Sequence, residues 1–142
     1  MKLPEKNIAV KLLEQYCDAY KKRDLASILQ LFTEHCNVWG TAPDEYRVGH
    51  ADLKTQHERD WGQSEKGEIK IVSIVPNAID APWAAIIANA KVTIDGQEYI
   101  FEHLRGTVVL AKEEGQWKIS HMHCSFPDYR SQTNQSFPEV SR

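Results

Sequence analysis

The chain has 142 residues, of which 42% are hydrophobic and 26% charged, and its formal net charge is −3. These values are typical of one globular domain that can bury a core without disulfides or metals. The near balance of charge, with no long Lys/Arg block, argues against nucleic acid or an anionic membrane as partner. No apolar run approaches the roughly 20 residues of a membrane span.

Targeting and redox features point to the cytoplasm. Residues 1–6 lack the apolar core of a secretory signal. Cys17, Cys36 and Cys124 are odd in number and widely spaced, which favours reduced thiols over a disulfide framework. The sequence therefore predicts a cytoplasmic protein.

The first part of the chain has the periodicity of helices. Apolar residues along 5–23 recur at helical spacing and predict a first helix with one buried stripe. Asp24 is suited to cap a second helix, whose inward face would extend to Phe32 and Cys36. A third helix is expected from about His50 to Trp61, with His57 on its inward side.

The remainder predicts four strands, over residues 68–75, 83–94, 97–112 and 116–126. Asp95-Gly96 is typical of a two-residue hairpin turn, and 113–115 of a three-residue loop. The chain is polar after Pro127. We therefore expect a single domain over 1–128 and a polar tail over 129–142.

The two hairpins set a register that collects polar side chains. Ala88 is expected opposite His103, and Arg105 opposite His123. Paired residues share a face, so one face would carry His103, Arg105, Thr107, His121, His123 and Ser125. Such a set indicates a pocket wall rather than a dry core.

The other face of the predicted sheet is apolar and needs a cover. Because the helices can cover one face only, a second subunit is the expected cover, and we predict a homodimer through this outer face. The residues assigned to it are Leu104, Val108, Leu110, Met122, Cys124 and Phe126.

Several segments resemble a known family. They are Gly40-Thr41-Ala42-Pro43-Asp44-Glu45, Gly49, Arg105, Gly115-Gln116-Trp117-Lys118-Ile119, His121-Met122-His123-Cys124-Ser125 and Pro127. They resemble the SnoaL-like domains of the superfamily of nuclear transport factor two, ketosteroid isomerase and polyketide cyclases. The last hairpin also resembles the association domain of calcium/calmodulin-dependent kinase II.

The resemblance implies an α+β fold of the cystatin-like, SnoaL-like kind. In this fold a cone-shaped curved antiparallel sheet is wrapped around three N-terminal helices, with a pocket between them. The fold hosts isomerases, cyclases, hydrolases, binding modules and assembly domains, so the fold alone leaves the function open.

Two histidines and one arginine are the leading functional candidates. His121 and His123 are expected to carry a proton in acid–base catalysis. Arg105 needs a counter-charge, which would be Glu45 or Glu102 within the chain, or the carboxylate or phosphate of a ligand. A strand pair His121-x-His123 suits a metal, but the cationic Arg105 beside it would repel one, so we expect no metal and no cofactor.

The remaining candidates for ligand binding surround these three. Asp44 and Glu45 lie in a loop entering the sheet, where they are interpreted either as turn and ion-pair residues or as an acid–base partner of a histidine. The other members are His103, Trp39, His57, Trp61 and Ser125, each of which has a purely structural alternative.

The sequence thus predicts a SnoaL-like protein with a small-molecule pocket. The first hypothesis is a metal-independent acid–base enzyme, an isomerase, cyclase or hydrolase, acting on a small anionic or polar-headed apolar compound. The alternative is a non-catalytic ligand-binding domain or an oligomeric association domain.

Overall fold

The computed structural model describes residues 6–138. In chain order the elements are α1 (Ile8–Lys22), α2 (Leu25–Leu31), β1 (Phe32–Trp39), β2 (Tyr46–Val48), α3 (Gly49–Gly62), β3 (Lys66–Ile74), β4 (Trp83–Ile94), β5 (Gln97–Glu113) and β6 (Gln116–Ser125). Over that range no helix has both the length and the apolar composition needed to cross a membrane.

The strands form one sheet in the order β2-β1-β6-β5-β4-β3. Neighbouring strands are antiparallel except β1 and β6, which run parallel. The helices pack on the inner face of the sheet around a shared core, which confirms the predicted α+β cone. The sheet is mixed rather than wholly antiparallel, because residues 32–39 form β1 and do not continue the second helix as predicted.

Capping residues fix the helices that carry the site. Asn7 accepts a hydrogen bond from the Val10 backbone N–H at 2.9 Å and begins α1. Asp24 caps α2 through the Ser27 N–H, as predicted. Arg23 ends α1 in the left-handed conformation, and its guanidinium donates to the Trp61 carbonyl at 2.7 Å. This last bond ties the end of α1 to the end of α3.

A β-bulge in β5 overturns the predicted register of the first hairpin. Ile94 pairs with Gln97 and Ala90 with Phe101, as expected, but Ala88 faces Leu104 and not His103. Glu102 and His103 together oppose one residue of β4, and His103 has a left-handed φ of 61°. One extra residue reverses the faces of everything after it, so Leu104 points inward and Arg105 outward.

The second hairpin also differs from its prediction. Glu113 pairs with Gln116, so the turn is the two residues Glu114-Gly115, both with positive φ. Arg105 therefore lies opposite Ser125 rather than His123. The pairing of β5 with β6 is thus displaced by two residues from the predicted pairing. Because side chains alternate between faces along a strand, a displacement by an even number leaves the residues that were expected to share a face on the same face, except His103.

The face predicted to bind a partner subunit is instead the inner face of the monomer. Met122 is only 4% exposed, and Leu104, Val108 and Leu110 are likewise buried in the core. Cys124 and Phe126 pack against that core. The reason is again the bulge at His103, which turns the apolar residues of β5 toward the helices.

Candidate functional site

A cavity of about 310 Å³ lies between α1, α3 and the inner face of the sheet. Its volume is at the small end of the range for ligand pockets. Most of its wall is apolar, including Leu53, Ile69, Phe101, Met122 and Phe126. The polar groups come mainly from α1, β2 and α3, so one side of the cavity is polar and the rest is apolar.

The deepest polar pair in this wall joins Tyr16 of α1 to His57 of α3. Tyr16 Oη and His57 Nε2 are 2.8 Å apart, and His57 Nδ1 lies 2.7 Å from the Leu53 carbonyl oxygen. A carbonyl can only accept, so Nδ1 carries the proton and neutral His57 accepts from the Tyr16 hydroxyl at Nε2. His57 is 3% exposed, and burial lowers its pKa, while the Leu53 carbonyl opposes that effect.

A second pair lies one turn along the same two helices. The Tyr20 hydroxyl donates to Asp60 Oδ2 at 3.2 Å, and Gln56 Nε2 donates to Asp60 Oδ1 at 2.7 Å. Burial raises the pKa of Asp60, although the bond from Gln56 acts in the opposite direction. Burial and the charge of Asp60 raise the pKa of Tyr20. Asp60 is thus a stronger base than an exposed aspartate, and Tyr20 is a neutral donor.

Gln56 links this carboxylate to a cation at the edge of the cavity. Its Oε1 accepts from Arg47 Nε at 2.8 Å, which fixes the amide so that Nε2 faces Asp60. The same Nε2 also lies 3.3 Å from Glu45 Oε1. Arg47 itself reaches the cavity because its strand neighbour Val38 is also an inward residue of the lining.

The loop before β2 is held over the cavity by ion pairs outside it. Arg59 donates to Glu45 at 2.9 Å and to Asp44 at 2.6 Å. The Arg59 hydrogen bond lowers the pKa of Asp44. Gly40 packs so closely on Glu45 that a Cβ there would lie 2.0 Å from Glu45 Oε2. Any larger residue at this point of the loop would force the Glu45 side chain to move.

Chemically, the cavity offers two polarised oxygens beside an apolar wall. The Tyr16 oxygen can accept a proton from a ligand hydroxyl or a water while its own proton moves to His57. Asp60 can take and return a proton directly. Tyr16 and Tyr20 have ring centroids 6.1 Å apart, and Tyr20 lies 5.9 Å from the His57 ring, so one small molecule can contact both pairs.

Some of the predicted residues lie at this cavity. His57 and Glu45 line it directly. Trp61 packs against the His57 ring at 5.5 Å and is half-buried, and its Nε1 has no hydrogen-bond partner among the described residues. Asp44 is exposed at the rim and pairs with Arg59. The bridge between Glu45 and Arg105, one of the alternatives drawn from the sequence, is not formed, because Glu45 bonds to Arg59 instead.

The other predicted residues lie on the outer face of the sheet. Arg105 pairs with Ser125, Thr107 with His123, and Trp39 with His123 on its other side. Arg105 and His123 are exposed, and His121 donates from Nδ1 to Asn37 Oδ1 of β1. None of these side chains lines the inner cavity. These residues share one face of the sheet as predicted, although their pairing differs from the predicted one, and that face is not the cavity wall.

His103 stands apart from both groups. It is exposed at the bulge and lines a shallow groove with Ile100, Glu102 and Tyr129. Two members of that groove, Phe101 and Phe126, are also walls of the inner cavity, with ring centroids 6.4 Å apart. The groove and the cavity are therefore separated by this aromatic pair.

Sequence reasoning missed Tyr16, Tyr20, Arg47, Gln56 and Asp60. The sequence assigns Tyr16 and Tyr20 to the buried stripe of α1, where their hydroxyls would need partners. Asp60 follows His57 by three residues and so shares its helix face, which was the available signal. Arg47 belongs to the short strand β2, for which the sequence has no clear pattern.

Within residues 6–138, no three histidine, cysteine or carboxylate side chains converge as a metal site would require. The thiols of the region are also unreactive in character. Burial raises the pKa of Cys124 to about 12 and that of Cys17 to about 11.

Comparison with known proteins adds a family match and fold relatives. A model of the SnoaL-like domain matches residues 10–129. No curated protein matches the sequence. A candidate scytalone dehydratase of Novosphingobium aromaticivorans superposes with a TM-score of 0.68 at 17% identity, covering 82% of this chain and 80% of the other.

Two further solved structures are similar at the level of the fold. An LEH-like epoxide hydrolase of M. tuberculosis has a TM-score of 0.67 at 17% identity, covering 89% of this chain and 87% of its own. A candidate calcium/calmodulin-dependent protein kinase II association domain of Xanthomonas campestris has a TM-score of 0.70 at 17% identity, covering 89% and 97%. The names of these relatives thus refer both to enzymes and to an association domain.

Proposed function

The chain belongs to the SnoaL-like domain family, and we propose that its inner cavity carries out acid–base chemistry on a small, largely apolar molecule with a polar head group. The observation that carries this proposal is the meeting of two tyrosine pairs, Tyr16–His57 and Tyr20–Asp60, in one cavity. Hydrogen-bonded, buried titratable groups inside a mostly apolar pocket are typical of catalytic sites.

Asp60 is the base in this proposal. Burial raises its pKa, which strengthens its affinity for a proton, and only neutral side chains bond to it. It accepts a proton from the substrate and returns it to another atom of the same molecule. Gln56 and Tyr20 hold the carboxylate in place during both transfers, since each of its oxygens keeps one donor.

Tyr16 and His57 form the second proton path. A substrate hydroxyl or a water donates to the Tyr16 oxygen while Tyr16 passes its own proton to Nε2 of His57. The Leu53 carbonyl stabilises the resulting imidazolium through Nδ1–H. With a substrate hydroxyl this path supports isomerisation or cyclisation, and with a water it supports hydrolysis.

This assignment moves the catalytic role from the outer face to the inner one. His121 and His123 remain candidates from the sequence for proton transfer, with Arg105 as their anchor, but a ligand there would sit on an open sheet surface. The proposal rests on the inner cavity because water exclusion strengthens the polar interactions of a site.

Deuterium incorporation tests the proposal across several classes of substrate at once. A panel of small ketones, enolisable acids and epoxides is incubated with the protein in D₂O and analysed by mass spectrometry. We expect the wild type to label or convert at least one compound, and Asp60→Asn to reduce that rate by about 100-fold or more. His123→Gln is the matched control and should retain the wild-type rate. If His123→Gln lost the labelling or conversion rate while Asp60→Asn retained it, the assignment of Asp60 as the base would be overturned.

A second candidate function, self-association, is favoured by the surface opposite the cavity. Trp39 and Tyr46 stack there with ring centroids 4.2 Å apart while remaining 46% and 48% exposed. Trp83 and Val109 pair on the same face and are also exposed. Exposed aromatic residues on a sheet face are typical of subunit contacts. We therefore propose this face as the homodimer contact, with Arg105 and His123 at it.

A further inference from the structure

We infer that Arg47 is the anchor for the ligand's head group, and that this head group is a carboxylate. The inference rests on the proposed use of the inner cavity and names the class of molecule that the cavity takes. It concerns binding rather than proton transfer, so the two proposals can fail separately.

Arg47 presents unused donors to the cavity. Its Nε donates to Gln56 Oε1 at 2.8 Å, while its two terminal nitrogens make no hydrogen bond or ion pair within residues 6–138. The side chain is half-buried and belongs to the cavity wall. A half-buried guanidinium whose terminal nitrogens have no ion-pair partner can bind an anionic group of a ligand.

Glu45 and Glu68 of the cavity wall are paired with other cations, and Asp60, the third carboxylate of the wall, bonds to Gln56 and Tyr20 rather than to Arg47. Arg59 bonds to both Asp44 and Glu45, at 2.6 and 2.9 Å. Glu68, at the far wall, lies 3.2 Å from Lys21. Among the described residues, Arg47 is the one lysine or arginine that lines the cavity, and no carboxylate lies within ion-pair distance of it.

Gln56 holds the guanidinium in a fixed orientation. The guanidinium is planar, so with Nε bound to Gln56 its two terminal nitrogens remain as the fork that matches a carboxylate. The other end of the Gln56 amide donates to Asp60 at 2.7 Å. One side chain therefore separates the anchor from the base, which would place the reacting carbon of a bound acid near Asp60 and its body against Phe101 and Met122.

The ligand class follows from this layout. The head is a carboxylate, which suits the fork of Arg47, and the body is apolar and small enough for about 310 Å³. An amine head is disfavoured at this anchor, because the guanidinium of Arg47 would repel a second cation. A neutral amide head would lose the charge-assisted part of the interaction.

Matched acid and amide pairs provide the test. Phenylacetate and 3-phenylpropanoate are compared with phenylacetamide and 3-phenylpropanamide by calorimetric titration of the full chain. We expect wild type to bind the acids at least about 10-fold more tightly, in line with a charge-assisted bond. Arg47→Gln should remove this preference while keeping amide affinity. Arg105→Gln, on the outer face, should leave it unchanged.

Three outcomes overturn the inference: equal affinity for acids and amides in wild type, a preference that persists in Arg47→Gln, and a preference that disappears in Arg105→Gln. If Arg47→Gln does not fold, the guanidinium ¹⁵N resonances of Arg47 in wild type are followed during titration with phenylacetate, and unchanged resonances overturn it equally. The variant Asp60→Asn keeps the anchor, so an intact acid preference there, with or without lost turnover, separates this result from the test of proton transfer.

Discussion

Tyr16 of α1 and His57 of α3, helices separated in the chain by α2, β1 and β2, meet through a 2.8 Å contact between Oη and Nε2. The Leu53 carbonyl holds the other ring nitrogen and so determines that Tyr16 is the donor in the neutral pair. The phenolic oxygen of Tyr16 consequently faces the cavity as an acceptor. A buried polar pair of this kind has consequences for stability as well as for chemistry.

The pH dependence of stability should depend on His57. Burial lowers its pKa from 6.5, so the unfolded chain binds a proton more readily than the folded one. The contribution of neutral His57 to the free energy of unfolding is therefore fully present above about pH 6.5, and it declines as the pH falls toward the lower folded-state pKa. In His57→Gln this decline should shrink. Urea unfolding of both proteins at pH 5 and 7.5 measures the difference, and an unchanged decline in the variant would contradict the buried neutral state.

The effect of Asp60 on stability should change with pH in the direction opposite to that of His57. Burial raises its pKa, so its charge opposes folding above the folded-state pKa, and this cost disappears as the pH falls to about the ordinary value of 3.8. Asn can accept from Gln56 and donate to Tyr20, so Asp60→Asn should be at least as stable as wild type at pH 7. The difference in the free energy of unfolding between Asp60→Asn and wild type should be smaller at pH 4.5 than at pH 7, as measured by urea titration. A variant that is less stable at pH 7 would argue against the desolvated carboxylate.

The loop over the cavity should depend on Gly40. An added Cβ would lie 2.8 Å from Glu45 Cβ as well as against Oε2, so Gly40→Ala must displace Glu45 from Arg59. We expect a loss of about 1–3 kcal/mol in the free energy of unfolding. Gly62→Ala is the control, because nothing lies within 4 Å of its added Cβ, and it should be neutral or stabilising. Equal behaviour of the two variants would refute the close contact.

A glutamate introduced on the outer face of the sheet should have a different effect from one introduced on the inner face. Trp39→Glu changes the exposed stack with Tyr46, so it should dissociate the proposed homodimer while leaving the monomer folded. Met122→Glu places a charge in the core and should cost more than about 3 kcal/mol, unfolding the chain rather than dissociating it. Sedimentation velocity and circular dichroism distinguish these results. A monomeric wild type at micromolar concentration would remove the dimer proposal.

Much of the fold is predictable because its signals are local. The Asp95-Gly96 turn defines the hairpin, and β4 has the predicted bounds Trp83–Ile94. Asp24 caps its helix as expected. By contrast, β1 escapes prediction because Phe32 and Cys36 continue the helical spacing of α2, and pairing with β6 and β2 makes the segment a strand.

The site is harder to predict for a physical reason. The bulge puts His103 into a left-handed conformation that its neighbours in the sequence do not announce, and this single feature reverses the faces of β5. The sequence therefore assigns the polar cluster to the cavity and the apolar residues to the surface, the reverse of the structure. Asp60 and Tyr20 gain their chemistry from contact between α1 and α3, which no local pattern in either helix specifies.

The imidazole resonances of the six histidines in the chain test the central claim most directly. Proton–carbon NMR spectra are recorded while wild type is titrated with a compound that binds in the acid–amide comparison or is converted in D₂O. The account predicts that the ring signals of His57 shift with ligand, while those of exposed His123 and of His121, which bonds to Asn37, stay in place. Shifts confined to His121 and His123, with His57 unaffected, would contradict it and place the functional site on the outer face.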